Sequence, residues 1–379
     1  MKIVSGSIIR LRIPFVETFR HHLAARSFSD SIVVKLKTDS GLVGYGEGVP
    51  RSYVTGETQA ACLQHIQSKL LPTVMQKEFP AFAATHLVAE VGRLISDESD
   101  ADAVVWHAAR CAVELALLDV CLKVGSNSLR EALPPADHDV FYTAVIGSGS
   151  LASVTAMAKR CKAAGFRSVK MKITSMDALE SVAAVRNILG PDVSFRLDAN
   201  GAFDAEGAAA LLDGLAPYDI QCVEQPIPRG DVAALATLQA SSPVPIMADE
   251  SLVTEADALE LIRAQGVDYF NLRISKCGGI GRTLAIAKLA REAGIRVVLG
   301  CQVGETSILS AAGCHVASHL AEVRAVEGAY GTHLLVEDVA DPPIMFSDGG
   351  LAPALTGIGL GCNVREDKLR HYAEEWIDV

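Results

Sequence analysis

Five stretches between residues 168 and 276 read SVKMKI (168–173), VSFRLDAN (193–200), IQCVEQP (220–226), PIMADE (245–250) and DYFNLRISK (268–276). Each begins with apolar, strand-forming residues and reaches a charged one at or just past its end. Ala- and Leu-rich segments of helical period separate them. The charged residues are Lys172, Asp198, Glu224, Asp249 and Lys276, so the gaps are 26, 26, 25 and 27 positions. A strand plus its return helix needs about 30 residues or slightly fewer, and each gap is one such unit. The alternation extends outward to Val140–Ile146 on one side and to Arg296–Leu299 and Val323–Val326 on the other. Eight strands with seven helices between them predict a (β/α) barrel rather than an open six-stranded sheet. A doubly wound sheet is the competing arrangement. No GxGxxG follows the first strand, however, and Gly278-Gly279-Ile280-Gly281 lacks that spacing and reads as a turn into a helix.

Residues 1 to about 135 follow another pattern. Strand-like segments at Lys2–Ile13, Ser31–Thr38 and Val43–Val49, the last two joined by a Ser40-Gly41 turn, precede helical periodicity at Glu57–Leu71, Ala81–Ile95 and Ala101–Val124. Strands followed by helices predict an α+β domain.

The composition narrows the function. Lys plus Arg is 34 against 45 Asp plus Glu, a net charge of −11, which disfavours nucleic acid and anionic membranes as partners. Half the residues are apolar and 21% are charged, which excludes intrinsic disorder. Nine scattered cysteines form no CxxC pair, and no apolar run has the length of a signal or membrane segment. A cytoplasmic protein without membrane contact is expected.

In a barrel, residues just past the strands point into one mouth, where barrel active sites lie. Three carboxylates gathered there repel one another and raise their own pKa values unless a cation neutralises them. An all-oxygen set points to a hard divalent ion, Mg2+. Taken singly, Asp198 and Asp249 read as helix caps or turns; equal spacing with flanking lysines favours the joint site. Lys170 and Lys172 alternate on one strand and so share a face. Like-charge proximity there is expected to lower the pKa of one of them, giving a base near neutral pH.

The set KMK (170–172), RLDAN (196–200), VEQP (223–226), ADES (248–251) and NLRISKCGG (271–279) resembles the enolase superfamily, in its mandelate racemase/muconate lactonizing enzyme family and muconate-lactonizing-enzyme-like subgroup. The helix ARCAVELALLDVCLKVG (109–125) is similar to the segment joining that family's two domains, and the likeness runs nearly end to end. It implies an α/β protein with a (β/α)7β TIM-like barrel at 136–352 under an N-terminal α+β capping domain, 1–135, rejoined by the tail 353–379. By resemblance, Asp198, Glu224 and Asp249 hold Mg2+, with Mn2+ as its substitute. Lys172 and Lys276 are the acid/base pair, Lys170 tunes Lys172, and Asn200 and Glu250 lie beside the ligands. The implied chemistry removes a proton α to a carboxylate, giving an enediolate held by the metal. Its outcomes are racemisation or epimerisation of an N-substituted amino acid, or muconate-type cycloisomerisation, with dehydration as a further outcome. A small carboxylate is the expected substrate and a homo-oligomer the expected assembly. A Schiff-base aldolase has no need of three carboxylates, and a non-catalytic barrel no need of an unbroken ladder.

Two departures from the subgroup stand out. The position where many members carry Glu is Gly304, with Glu305 one residue later; and the Asp-x-Asp pair of dipeptide epimerases is replaced by the run GTHLLVEDVADPP (331–343). Loops at Thr18–His22 and at Arg51-Ser52-Tyr53 are expected over the mouth, with Arg20 or Arg51 set to pair with a distal carboxylate and Tyr53 to stack or hydrogen-bond. His315 and His319 lie one helical turn apart without HExxH and read as structural.

Overall fold

A computed structural model describes the 379-residue chain apart from residues 22–23, 76, 81–82 and 96–103, and apart from the side chains of residues 19–21 and 24. Five strands open it: β1 (Ile3–Leu11), β2 (Ile13–His21), β3 (Ala24–Ser29), β4 (Ile32–Thr38) and β5 (Val43–Gly48). β1, β4 and β5 pair antiparallel, and the β4–β5 turn passes through Gly41 at φ +86°. β2 and β3 form a separate hairpin. This corrects the expected loop at Thr18–His22, of which residues 18–21 are strand and residue 22 lies outside the described residues. The buried anchors are Ile13 and Phe15, and Phe15 bridges to Leu335 beyond the last barrel strand.

The helix His107–Val124 is buried over nearly its whole circumference, and its buried polar residues Arg110, Glu114 and Asp119 are hydrogen-bonded. It lies on β5. A Cβ at Gly46 would stand 2.1 Å from the Ala112 carbonyl oxygen, and one at Gly48 1.9 Å from that of Ala108, so glycine alone permits the approach.

Eight parallel strands follow: β6 (Ala144–Ile146), β7 (Ser168–Lys172), β8 (Ser194–Asp198), β9 (Val223–Glu224), β10 (Ile246–Ala248), β11 (Tyr269–Arg273), β12 (Arg296–Gly300) and β13 (Val323–Val326). They neighbour one another in chain order, with a helix in every connection, and the sheet curls. Its two ends approach where Tyr142 bridges Val326 and the Thr143 N–H donates to the Val326 carbonyl at 2.7 Å. Lys172 is level with Asp198, and Asp198 with Glu224, in the parallel register. β6 and β9 are shorter than expected, and Lys276 stands beyond β11 on one helical turn, Ile274–Cys277. After the helix Glu366–Tyr372 the chain ends in β14 (Ala373–Asp378), which pairs antiparallel with β1. Among the described residues no helix is long and apolar enough to cross a membrane.

Candidate active site

Parallel strands of a curled sheet present alternate residues to its inside, so a charge at a strand end and the residue two before it share that interior. At the ends of β7, β8 and β9 and just past β10, Lys172, Asp198, Glu224 and Asp249 are all buried. Lys172 Nζ donates to Asp198 Oδ2 at 2.9 Å and to Asn200 Oδ1 at 2.6 Å. Asn200 returns its backbone N–H to Asp198 Oδ1 at 3.1 Å and passes its side-chain amide to Glu250 Oε1 at 3.1 Å. On the other side, Lys276 Nζ donates to Asp249 Oδ1, the Asp249 carbonyl and the Asn271 carbonyl, each at 2.8 Å. Glu224 stands between Asp198 and Asp249 in strand order, with Asn271 Nδ2 at 2.8 Å from its Oε1.

Around these residues stands a further set outside the five-rung ladder, with Lys170 and Arg196 one pleat deeper on β7 and β8. Lys170 Nζ reaches Glu327 at 2.8 Å, Asp198 at 3.3 Å and Glu224 at 3.4 Å. Arg196 pairs with Glu327, and Arg273 joins Asp249 to Glu224. The signal for this set was present. Arg196, Asn271 and Lys170 precede ladder or strand-end residues by two, and Glu327 immediately follows the eighth apolar run, where the ladder rule applies unchanged.

Five carboxylates (Asp198, Glu224, Asp249, Glu250, Glu327) thus meet five cations (Lys170, Lys172, Arg196, Arg273, Lys276) out of water. Burial opposes ionisation of Asp198, but Lys172 and Lys170 outweigh it and hold its pKa below the ordinary range. Asp249 is likewise lowered, by Arg273 and Lys276 against burial. Glu224 goes the other way, to about 8, through burial and then the Asp198 charge; burial and Asp249 raise Glu250 to about 7. The expected mutual rise of all three carboxylates therefore appears at Glu224 alone. The expected fall of a lysine pKa is also corrected at Lys170. Burial opposes its charge, yet Glu224, Glu327 and Asp198 together hold its pKa well above the ordinary value.

Among the described residues no three His, Cys, Asp or Glu side chains close into a metal-binding group; Lys172, Arg273 and Lys276 contact the carboxylates instead. The donor set still fits a hard dication. It is all oxygen and fully buried, and buried polar atoms around it, Glu250 Oε2 and Asn271 Oδ1, have no hydrogen-bond partner among the described residues.

The expected substrate-facing groups divide. Arg51 is buried, its guanidinium donating to Asp30 at 2.7 Å and to the carbonyls of Pro50 and Val303 at 2.8 and 2.6 Å; its donors tie the β3–β4 connection to the loop after β12. Arg20 pairs through its backbone with Ala25, and its side chain lies outside the described residues. Tyr53 is half-buried, its ring face 5.8 Å from the Arg26 guanidinium on β3. Glu305 Oε1 accepts the Gln302 N–H, and burial raises its pKa to about 8. His315 is buried, and His319 Nδ1 contacts the Pro134 carbonyl at 2.8 Å.

Comparison with known proteins agrees over the whole chain. Residues 153–368 match the sequence model described as "Enolase C-terminal domain-like", and residues 9–133 match "Mandelate racemase / muconate lactonizing enzyme, N-terminal domain". A hydrophobic dipeptide epimerase of Enterococcus faecalis is 32% identical over 84% of this chain and 87% of its own. The crystal structure of N-succinyl Arg/Lys racemase from Bacillus cereus superposes with a TM-score of 0.89, at 25% identity and full coverage of both chains. That of the dipeptide epimerase from Cytophaga hutchinsonii, complexed with Mg and D-Ala-L-Val, does so with a TM-score of 0.88, at 26% identity and full coverage of both. Racemases and epimerases are isomerases, and so are the muconate cycloisomerases among the relatives. The chain belongs to the mandelate racemase/muconate lactonizing enzyme family of the enolase superfamily.

Proposed function

We propose that this protein is an isomerase that removes and returns a proton α to a carboxylate, acting on an N-substituted amino acid. The observation that carries the reading is the order of contacts across β7 to β11. Lys172 grips the first of three buried carboxylates, Lys276 grips the third, and Glu224 lies between. Asp198, Glu224 and Asp249 would hold Mg2+, which supplies the positive charge that makes such a weakly acidic proton removable. The chain's own residues do the rest. Lys172 and Lys276, on strands four apart in a (β/α)7β barrel (136–352), approach the α-carbon from opposite faces. Asn200 and Glu250 orient Lys172, while Lys170 neutralises the deeper carboxylates. Residues 1–135 and 353–379 form the domain that closes the mouth.

Muconate-type cycloisomerisation is the second reading. The observation in its favour is that the carboxylate leaving β13, Glu327, is engaged by Lys170 and Arg196, not presented as an Asp-x-Asp pair to a substrate ammonium.

The test is a panel of N-succinyl and N-acyl amino acids, dipeptides and muconates with Mg2+ or Mn2+, read by NMR for turnover and α-hydrogen exchange in D2O. Racemisation requires both lysines, but each of Lys172→Ala and Lys276→Ala should spare exchange from one enantiomer, opposite in the two variants. Turnover of muconates alone would establish the second reading. Unchanged exchange of both enantiomers in Lys276→Ala would overturn the two-base mechanism.

A further inference from the structure

The turn that carries Lys276 is only four residues long, Ile274–Cys277, and it ends at Gly278 with φ +89°. The last carbonyls of a helical turn point beyond it and need donors from elsewhere. They meet the start of the helix His107–Val124. His107, 5% exposed, places Nδ1 2.7 Å from the Lys276 carbonyl oxygen. Its other ring nitrogen, Nε2, lies 2.8 Å from Arg282 NH1. A guanidinium nitrogen has no lone pair to offer, so Nε2 must be the acceptor. The ring is then neutral, and the proton sits on Nδ1, donated to the Lys276 carbonyl.

The same edge of the long helix and of β5 holds the turn at other points. The Val49 N–H donates to Ser275 Oγ at 2.8 Å, and Arg110 NH1 lies 3.5 Å from the Gly278 carbonyl oxygen. Glu114 Oε1 accepts the Gly281 N–H at 3.0 Å. A Cβ at Gly279 would come within 2.4 Å of Glu114 Oε2, so no side chain separates the turn from the helix. Inside the barrel, by contrast, Lys276 Nζ leans on Asp249 and Asn271. Asp249 is one of the carboxylates proposed to turn towards a metal, which would loosen that grip.

We propose that His107 is a positioning residue for Lys276. Locked by Arg282 in the Nδ1–H tautomer, it fixes the backbone from which the ammonium is aimed, and through it the N-terminal region sets one of the two acid/base groups. The inference rests on the role given to Lys276 above. Nothing comparable is needed on the other side, because Lys172 ends a strand whose backbone is held by β8.

The test pairs a spectroscopic readout with a kinetic one. In protein labelled with 15N-histidine, long-range 1H–15N correlation at pH 7 should show His107 neutral with hydrogen on Nδ1. The Nε2–H tautomer or a charged ring would overturn the inference. His107→Phe keeps the ring and removes the donor, whereas His107→Asn restores a donor near the Nδ1 position. With the N-acyl amino acid that turns over, His107→Phe should slow α-hydrogen exchange on the face served by Lys276 at least tenfold more than on the face served by Lys172. KM should change little, and His107→Asn should recover most of the rate at equal Tm. Equal loss on both faces, or no recovery in the Asn variant, would overturn the inference. If His107→Phe fails to fold, His107→Met, which likewise removes the donor, replaces it with the same face-selective expectation. Wild-type protein that exchanges no member of the panel would overturn the functional reading, and with it the catalytic half of this inference, whatever the tautomer.

Discussion

Two groups of buried carboxylates have similar burial and opposite partners. Near the N-terminal sheet, Glu47 accepts the Thr306 and Leu309 N–H groups and the Thr306 hydroxyl, and Glu57 accepts those of Ala108 and Ala109. Each caps the start of a helix, meeting orphan amides and the positive end of the helix dipole. At the barrel mouth, Asp198, Glu224 and Asp249 face mainly ammonium, guanidinium and side-chain amide groups. Backbone amides are fixed once the helix forms, so the first group belongs to the fold. Side-chain cations can move away when a metal or substrate arrives, so the second remains available for chemistry.

The contrast breaks most visibly at Glu224. Glu224→Gln should lower turnover by about 1000-fold or more, the scale of removing a principal electrostatic element, and weaken Mg2+ binding measured by calorimetry. Its Tm should hold or rise, since the native charge is opposed by burial. A sharp fall in Tm would place Glu224 with the structural group.

Glu47→Ala should do the reverse. Three donors lose their acceptor in a buried site, a loss of about 4 kcal/mol by chemical denaturation, while turnover of the folded fraction stays within a few-fold. Loss of turnover without loss of stability would erase the distinction.

A pH scan sharpens it further. Burial, opposed by a hydrogen bond at Leu360 and helped by the Arg130 charge, pushes His315 down to about 4. The unfolded chain, titrating near 6.5, binds this proton first, so the stabilisation is complete above about pH 6.5 and is lost as pH falls towards 4. The loss is about 3 kcal/mol. The difference between wild type and His315→Leu across that window should show this slope, standing apart from the opposite slope of the raised carboxylates Glu250 and Glu305, and a variant curve parallel to wild type would remove His315 as its source.

The smallest effect belongs to the surface. Glu374 pairs with Arg10 at 2.6 Å and Arg12 at 2.7 Å beside the β1–β14 contact. With all three side chains partly exposed, Glu374→Gln should lower stability by less than about 0.5 kcal/mol and be indistinguishable from wild type in 0.5 M salt. A larger, salt-resistant loss would mean that the pair holds β14 in place.

The alternation of eight strands with helices and the position of Lys172, Asp198, Glu224 and Asp249 at strand ends are legible along the chain, because apolar period and spacing are local properties. The chain also contains Arg196 and Asn271, which a period-two reading of their strands brings to the same interior, and Glu327, which follows the eighth apolar run as the ladder residues follow theirs. The hairpin β2–β3 escaped because its polar middle hides a strand whose anchors, Ile13 and Phe15, pack against residues from far along the chain. Folding alone selects which buried carboxylates meet amides and which meet cations, makes Arg51 a clamp within the protein, and brings His107 to the Lys276 carbonyl 169 positions away. Those outcomes depend on partners brought together by folding. Spacing along one element reports which way a side chain faces, but not what arrives from another element to meet it.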